Sequence, residues 1–206
     1  MVIILDLGGV LMRHNMPECL ARFERLFPTN RDKSGKEQMA QVLGLQSNAE
    51  GTLDSLVDRY EKGDISTDEF VGTILAHSRE DATREEVVAA WNSMHGGIPE
   101  DRLQLIRQWA DAGHHLYMLS NNNDLHWHHV FSCYDLSMFR HCYASHLLHL
   151  AKPDPRIYQT VDQAIRKQEG NQPFYFVDDL EANRLPAEQL GWQTFASLDE
   201  LAPIVK

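Results

Sequence analysis

The sequence predicts an α/β protein, a five-stranded parallel sheet carrying a helical insertion after its first strand. Three observations carry that prediction. Short apolar runs recur along the chain, and the runs expected at the centre of the sheet end in polar groups. The strand–helix alternation is interrupted once, early, by roughly 80 residues of 3.6-residue periodicity with no convincing strand. Strands separated by helices pair in parallel through right-handed crossovers, which fixes the class.

The first strand is Val2-Ile3-Ile4-Leu5, β-branched and apolar, ending at Asp6 and broken by Leu7-Gly8-Gly9-Val10. After Val10-Leu11-Met12 the chain turns helical. Leu20, Phe23 and Phe27 share one face, and Leu53, Leu56, Val57 and Tyr60 share another. Ser66 with Glu69 and Thr83 with Glu86 have the spacing of capping boxes, the second opening the stripe Val87, Trp91, Met94. His95-Gly96-Gly97-Ile98-Pro99 punctuates the pattern and reads as a hinge. The expected division is therefore a core of residues 1–14 and 97–206 and a helical cap of residues 15–96.

Beyond Pro99 the pattern is βα throughout. A helix turns Leu103, Ile106 and Trp109 inward and ends near Gly113, and His115 to Leu119 form the next strand. A third strand covers His141 to Ser145. Asp154-Pro155 starts a helix carrying Ile157, Val161 and Ile165, which stops at Gly170. Pro173 to Val177 is a buried strand, a helix through Leu185 and Leu190 stops at Gly191, and Trp192 to Phe195 is the last strand. Topology places the insertion over the carboxyl ends of the strands, as a lid.

Composition narrows the function. The chain has 206 residues, 43% hydrophobic and 24% charged, with a net charge of -11. That charge argues against nucleic acid and anionic membranes as partners. No stretch reaches transmembrane length and the chain enters a strand directly, so the expectation is a cytoplasmic protein. Cys19, Cys133 and Cys142 are an odd, scattered set, unlike a disulfide framework or a zinc knuckle. An anionic substrate would be repelled overall, so its site must build a local positive field.

Four polar groups stand after four segments aimed at one rim of the sheet: Asp6, Ser120-Asn121, Lys152 in Ala151-Lys152-Pro153-Asp154, and Asp178-Asp179. Singly, each has a plainer reading as a turn, an N-cap, a solvated loop or a helix start. Together they make an electrostatic unit. Three carboxylates in one crevice cannot persist without cations. Mg2+ and Lys152 bring three positive charges, and carboxylate oxygen is the ligand type Mg2+ prefers. The Ser120 hydroxyl and backbone N–H groups can hold phosphoryl oxygens. Asp6 is then a nucleophile aimed at phosphorus, forming an aspartyl-phosphate that water hydrolyses. The metal and Lys152 stabilise charge on the transferring group of a small phosphorylated metabolite.

With these motifs in order, Leu5-Asp6-Leu7-Gly8-Gly9-Val10, Leu119-Ser120-Asn121, Lys152-Pro153-Asp154 and Val177-Asp178-Asp179 with Asn183, the chain resembles the haloacid dehalogenase-like hydrolases. The stretches Lys152 to Tyr158 and Phe176 to Asn183 are similar to the branch of bacterial α-glucose-1-phosphate phosphatase and the phosphatase domain of soluble epoxide hydrolase. The resemblance implies a Mg2+-dependent phosphatase on a Rossmann-like core with a helical cap. It makes Asp6 nucleophile and metal ligand, with the backbone carbonyl of Gly8 a second ligand. Asp178 and Asp179 complete the metal site, Asp179 being the direct ligand, and Ser120, Asn121 and Lys152 bind the phosphoryl group.

One position departs from the family pattern. The residue two after the nucleophile is usually a second Asp, the general acid that protonates the leaving oxygen; here it is Gly8. General acid catalysis is worth about 10²–10⁴-fold, so the loss constrains the chemistry. The substrate can carry a good leaving group, such as a sugar 1-phosphate or acyl phosphate, the resolution favoured here. His14 or His95 can supply the proton instead, or the protein is a weak or silent phosphometabolite binder.

Other features read as packing or solvated surface. Eight of the eleven histidines lie between residues 114 and 149, and His126 with His129 reads as a solvated helix face rather than a zinc site. Trp91, Trp109, Trp127 and Trp192 sit at core positions, and Gly8-Gly9 lacks the rest of a dinucleotide fingerprint. Two further functions compete. A haloacid dehalogenase would use Asp6 on carbon without metal, but Asp178-Asp179 would oppose its carboxylate substrate. A receiver domain has its acidic pair early in the chain, not last.

Overall fold

Strands β1 (Val2–Leu5), β2 (His115–Ser120), β3 (Phe139–Ala144), β4 (Phe174–Val177) and β5 (Gln193–Phe195) form one sheet in the computed structural model. All pairs are parallel and the spatial order is β3-β2-β1-β4-β5. The structure describes residues 1–28, 34–44 and 55–205. Leu53, expected on a helix face, lies outside them.

β1 is central and covered on both faces, which explains its unbroken apolar run. Its residues alternate between two cores: Ile3 and Leu5 join Leu116, Met118 and Val177, whereas Val2 and Ile4 join Tyr117, Leu119, Phe174 and Phe176. The first face is covered by α6 (Glu100–Asp111), α7 (Asp124–Cys133) and α11 (Leu198–Leu201), with Leu103, Ile106, Trp109, Val130 and Leu201 buried against it. The second is covered by α9 (Pro155–Glu169) and α10 (Glu181–Gln189), with Ile157, Val161, Ile165 and Ala187 buried. The expected strands are present, with ends shifted by one or two residues. A single-turn helix, α8 (Ser145–Leu148), follows β3 where the strand was expected to end.

Between β1 and α6 the described chain is helical: α1 (Met16–Glu24), α2 (Gly35–Leu43), α3 (Leu56–Glu61), α4 (Thr67–Leu75) and α5 (Arg84–Asn92). They surround a separate core that includes Phe23, Phe27, Tyr60, Phe70, Val87 and Trp91. Ser66 and Thr83 accept hydrogen bonds from the backbone N–H of Glu69 and Glu86, whose side chains return the bond. Ser34–Glu37 and Ser55–Asp58 form two further boxes. The chain leaves the sheet and returns to it side by side. Arg13 N–H donates to Gly97 O at 3.0 Å, Gly96 N–H to Arg13 O at 2.7 Å and Asn15 N–H to Met94 O at 2.7 Å. Among the described residues, no helix is long and apolar enough to cross a membrane.

His126 corrects the expectation of a solvated helix face. It is buried, stacked on Trp91 with ring centroids 4.8 Å apart, and its Nε2 lies 2.9 Å from the Trp91 carbonyl. Asn123 Oδ1 accepts from Trp91 Nε1 and from His126 N, both at 3.1 Å, so this histidine helps to join α5 to α7.

Candidate active site

The sheet changes direction of growth between β1 and β4: strands β2 and β3 were added on one side of β1, then β4 and β5 on the other. Ligands in open α/β sheets collect outside the carboxyl ends of the strands at such a switch point. Leu5 is paired with Val177, so the next residues, Asp6 and Asp178, emerge side by side there.

Lys152 stands between them. Its Nζ lies 3.0 Å from Asp6 Oδ1, 2.5 Å from Asp178 Oδ2 and 3.0 Å from Leu119 O, giving the buried ammonium three acceptors. Burial works against its charge, but Asp6 and Asp178 outweigh that and hold its pKa above the ordinary lysine value. Asp6 also accepts from the Leu7 N–H at 2.7 Å. Burial pushes its carboxyl up to about 6, opposed by Lys152 and reinforced by Asp178.

Asp178 is the more heavily anchored carboxylate. It accepts from Asn183 Nδ2 at 3.0 and 3.1 Å and from Leu180 N–H at 2.9 Å, besides Lys152. Tyr158 in turn donates to the Asn183 carbonyl at 2.7 Å. Asp179 is exposed, and its carboxylate leans on the loop after β1: a Cβ on Gly9 would stand 2.4 Å from Asp179 Oδ2. Gly9 also has φ +74°, so both the close approach and the backbone call for glycine there. Ligand oxygens of Asp6, Asp178 and Asp179 all fall within 4.8 Å of one another. Three carboxylates and one ammonium leave the cluster two charges negative, which a divalent cation fits, and carboxylate donors suit Mg2+.

Ser120 is buried at the end of β2, with its hydroxyl 3.3 Å from the Asn121 carbonyl. The Asn121 side chain is turned to Lys152 instead of the crevice: its Nδ2 donates to Lys152 O and its Oδ1 accepts from Lys152 N, both at 2.8 Å. It therefore fixes the backbone that carries the ammonium. Gly8 lies beneath an imidazole, since a Cβ built on it would be 2.6 Å from His14 Nε2. His95 pairs with His14 across the linker. Burial, then His129 and His14, push its pKa down to about 4, so at neutral pH it is uncharged and a poor proton donor.

Two features near the site escaped the sequence reading. Ser145 on α8 ties the loop after β2 to the helical insertion, accepting from Asn122 N–H at 2.8 Å and lying 2.5 Å from the Glu61 carbonyl. Glu61 itself stands within electrostatic reach of Asp6 and Lys152. Neither has a local signal. Both depend on contacts between segments far apart in the chain.

No family model matches the sequence. Solved structures do. A HAD family enzyme from Bacteroides thetaiotaomicron, in complex with magnesium and inorganic phosphate, is 28% identical, with a TM-score of 0.73 over 94% of this chain and 92% of that one. A predicted HAD-like family hydrolase from Porphyromonas gingivalis is 23% identical, with a TM-score of 0.70 over 100% of this chain and 97% of that one. L-2-haloacid dehalogenase from Xanthobacter autotrophicus is 18% identical, with a TM-score of 0.56 over 94% and 75%. The last two are alike in fold alone.

Proposed function

We propose that this chain, a member of the haloacid dehalogenase-like hydrolase superfamily, is a Mg2+-dependent phosphatase acting on a small phosphorylated metabolite, a sugar phosphate such as a sugar 1-phosphate. The observation that carries the reading is the cluster at the switch point, where Lys152 bridges Asp6 and Asp178 at 3.0 and 2.5 Å with Asp179 beside them. A phosphatase that works through an aspartyl-phosphate needs a carboxylate nucleophile, a fixed cation and room for a divalent metal, and the cluster offers each.

Asp6, Asp178, Asp179 and the Gly8 carbonyl would hold the metal. When bound, Mg2+ offsets the charge of the phosphoryl group and lowers repulsion toward an anionic substrate. The chain's own groups do the rest. Asp6 attacks phosphorus; Lys152 stabilises the equatorial oxygens and keeps Asp6 aimed; the Ser120 hydroxyl donates to the phosphoryl group. Asn121 contributes by holding Lys152. Residues 15–96 act as the cap that shelters the reaction, and unpaired Cys19, Cys133 and Cys142 suit a reducing cytoplasm. Support for phosphate over halide comes from the acidic pair, which would repel a haloacid carboxylate, and from the 28%-identical neighbour that binds magnesium and phosphate.

The test is hydrolysis of a panel of sugar and acyl phosphates with Mg2+, against Asp6→Asn and against a chelator. The reading requires turnover that both treatments abolish. Dehalogenation of a 2-haloacid that survives chelation would replace it. Phosphometabolite binding without turnover would mark the protein as a silent homologue, the alternative that the missing acid at Gly8 leaves open.

A further inference from the structure

We infer that Glu61, carried by the helical insertion, is the catalytic acid that protonates the leaving oxygen and then deprotonates the water that releases phosphate. The inference rests on the phosphatase reading above and supplies the proton that Gly8 cannot.

The position of Glu61 is set by its neighbours. α3 ends on the rim of the crevice, and three successive residues there are tied to the sheet side. The Tyr60 hydroxyl accepts from Leu125 N–H at 3.1 Å, the Glu61 carbonyl lies 2.5 Å from Ser145 Oγ, and the Lys62 carbonyl lies 3.1 Å from His149 Nδ1. Ser145 Oγ also meets Asn122 N at 2.8 Å and Asn122 O at 2.9 Å, two residues beyond Ser120. The backbone of Glu61 is therefore one hydroxyl away from the phosphate-binding loop after β2. Its side chain is half-buried and within electrostatic reach of Asp6 and Lys152, from two of the other loops of the site. Glu61 belongs to the helical insertion, so it comes to the crevice from an element outside the sheet.

Its surroundings keep the proton available. Burial pushes the Glu61 carboxyl up to about 7, reinforced by Asp58 on its own helix and by Asp6, and opposed by Lys152. His146 on α8 and His149 just after it border the same helix end. A carboxylic acid with a pKa near the operating pH is suited to both halves of the reaction. The other polar groups are less suited. Lys152 is committed to three acceptors, and His95 is held neutral by burial.

The steps balance. An Asp6 carboxylate oxygen forms a bond to phosphorus while the bond from phosphorus to the leaving oxygen breaks. That oxygen keeps the electron pair and takes the proton of the Glu61 carboxyl, departing as an alcohol. Water then attacks the phosphorus of the aspartyl-phosphate and gives a proton to the Glu61 carboxylate, while the bond from phosphorus to the Asp6 oxygen breaks and its electron pair returns to the carboxylate. Phosphate leaves, and Asp6 and protonated Glu61 are regenerated.

The test uses the full chain with Mg2+ and compares kcat/KM for an alkyl phosphate, whose leaving group needs a proton, with that for 4-nitrophenyl phosphate, whose leaving group needs little protonation. In Glu61→Gln the alkyl ester should lose about 10²–10³-fold, at least tenfold more than the aryl ester. The descent of the wild-type alkyl profile on the alkaline side of pH 7 should vanish with it, and Glu61→Asp, which keeps an acid, should recover part of the rate. Equal losses on both esters would overturn the assignment while leaving the phosphatase reading intact. So would a selective alkyl loss in His14→Gln with none in Glu61→Gln. No hydrolysis of either ester by the wild type would remove the phosphatase reading and this inference together.

Discussion

The Nε2 atom of His14 lies 2.6 Å from the point that a Cβ on Gly8 would occupy. The imidazole thus fills the space that a side chain at position 8, in the loop after β1, would need. Replacing Gly8 by Asp forces His14 aside. Because the obstacle is the far end of an exposed side chain, the cost should be small, about 1 kcal/mol or less. Gly8→Asp should unfold at slightly lower urea than the wild type. His14→Ala in the same chain should restore the loss, a coupling readable in a double-mutant cycle.

Gly9 should behave differently. With φ +74° and Asp179 Oδ2 2.4 Å from its virtual Cβ, Gly9→Ala meets both backbone strain and the carboxylate. The substitution should cost roughly 1–3 kcal/mol in urea unfolding and weaken Mg2+ binding by displacing Asp179. Unchanged Mg2+ affinity in calorimetry would show that Asp179 keeps its place.

Removing Lys152 should be more damaging than removing either acid. Asp6 and Asp178 are buried on either side of it, so Lys152→Met leaves two carboxylates without their shared cation. Breaking a buried pair from one side typically costs about 3–5 kcal/mol. Denaturant titration in chelator should show that loss. Added Mg2+ should recover part of it, since a ligand that binds only the folded state stabilises it by mass action.

Much of this site was legible because its residues follow strands whose apolar runs are short and unbroken. Val2 to Leu5 and Phe174 to Val177 are buried on both faces, so their sequences announce them and place Asp6 and Asp178 at strand ends. What the sequence could not show depends on distant contacts. The Asn121 side chain pairs with a backbone 31 residues away, a bond that no local pattern announces. His126 looked solvated because its burial comes from Trp91, 35 residues earlier. Glu61 carries no local signal; its place at the crevice comes from contacts of its helix end with segments far along the chain, among them the Ser145 bridge.

Acid should weaken the junction between α5 and α7. Burial, followed by repulsion from His95, pushes His126 down to about 3, and His95 is pushed down to about 4. Unfolded histidine titrates near 6.5, so below that pH the unfolded chain binds protons that the folded one refuses. Stability from these groups is complete above about 6.5 and falls as pH drops towards their folded values, by up to about 1.4 kcal/mol per pH unit for each. Unfolding in urea at pH 7, 6 and 5 should show this decline. His126→Gln should flatten it while starting from a lower stability at pH 7, having lost the stack on Trp91.

Asp178 and Asp179 are adjacent in sequence but should fail in different ways. Asp178 is fully buried and accepts from Lys152, Asn183 and the Leu180 N–H, so its carboxylate is a structural anchor besides being a proposed metal ligand. In Asp178→Asn the charge that opposes Lys152 is halved and an amide must face an ammonium. About 1–3 kcal/mol should disappear from the unfolding free energy, even in chelator. Asp179 is exposed and shares its charge with solvent, so Asp179→Asn should change stability by less than about 0.5 kcal/mol. Its cost should fall on the metal, raising the Mg2+ Kd at least about tenfold, equivalent to 1.4 kcal/mol. Calorimetric titration with Mg2+ beside urea unfolding separates the two. If Asp179→Asn binds Mg2+ as the wild type does, the direct carboxylate contact from this pair belongs to Asp178, and Asp179 serves only to make the crevice acidic.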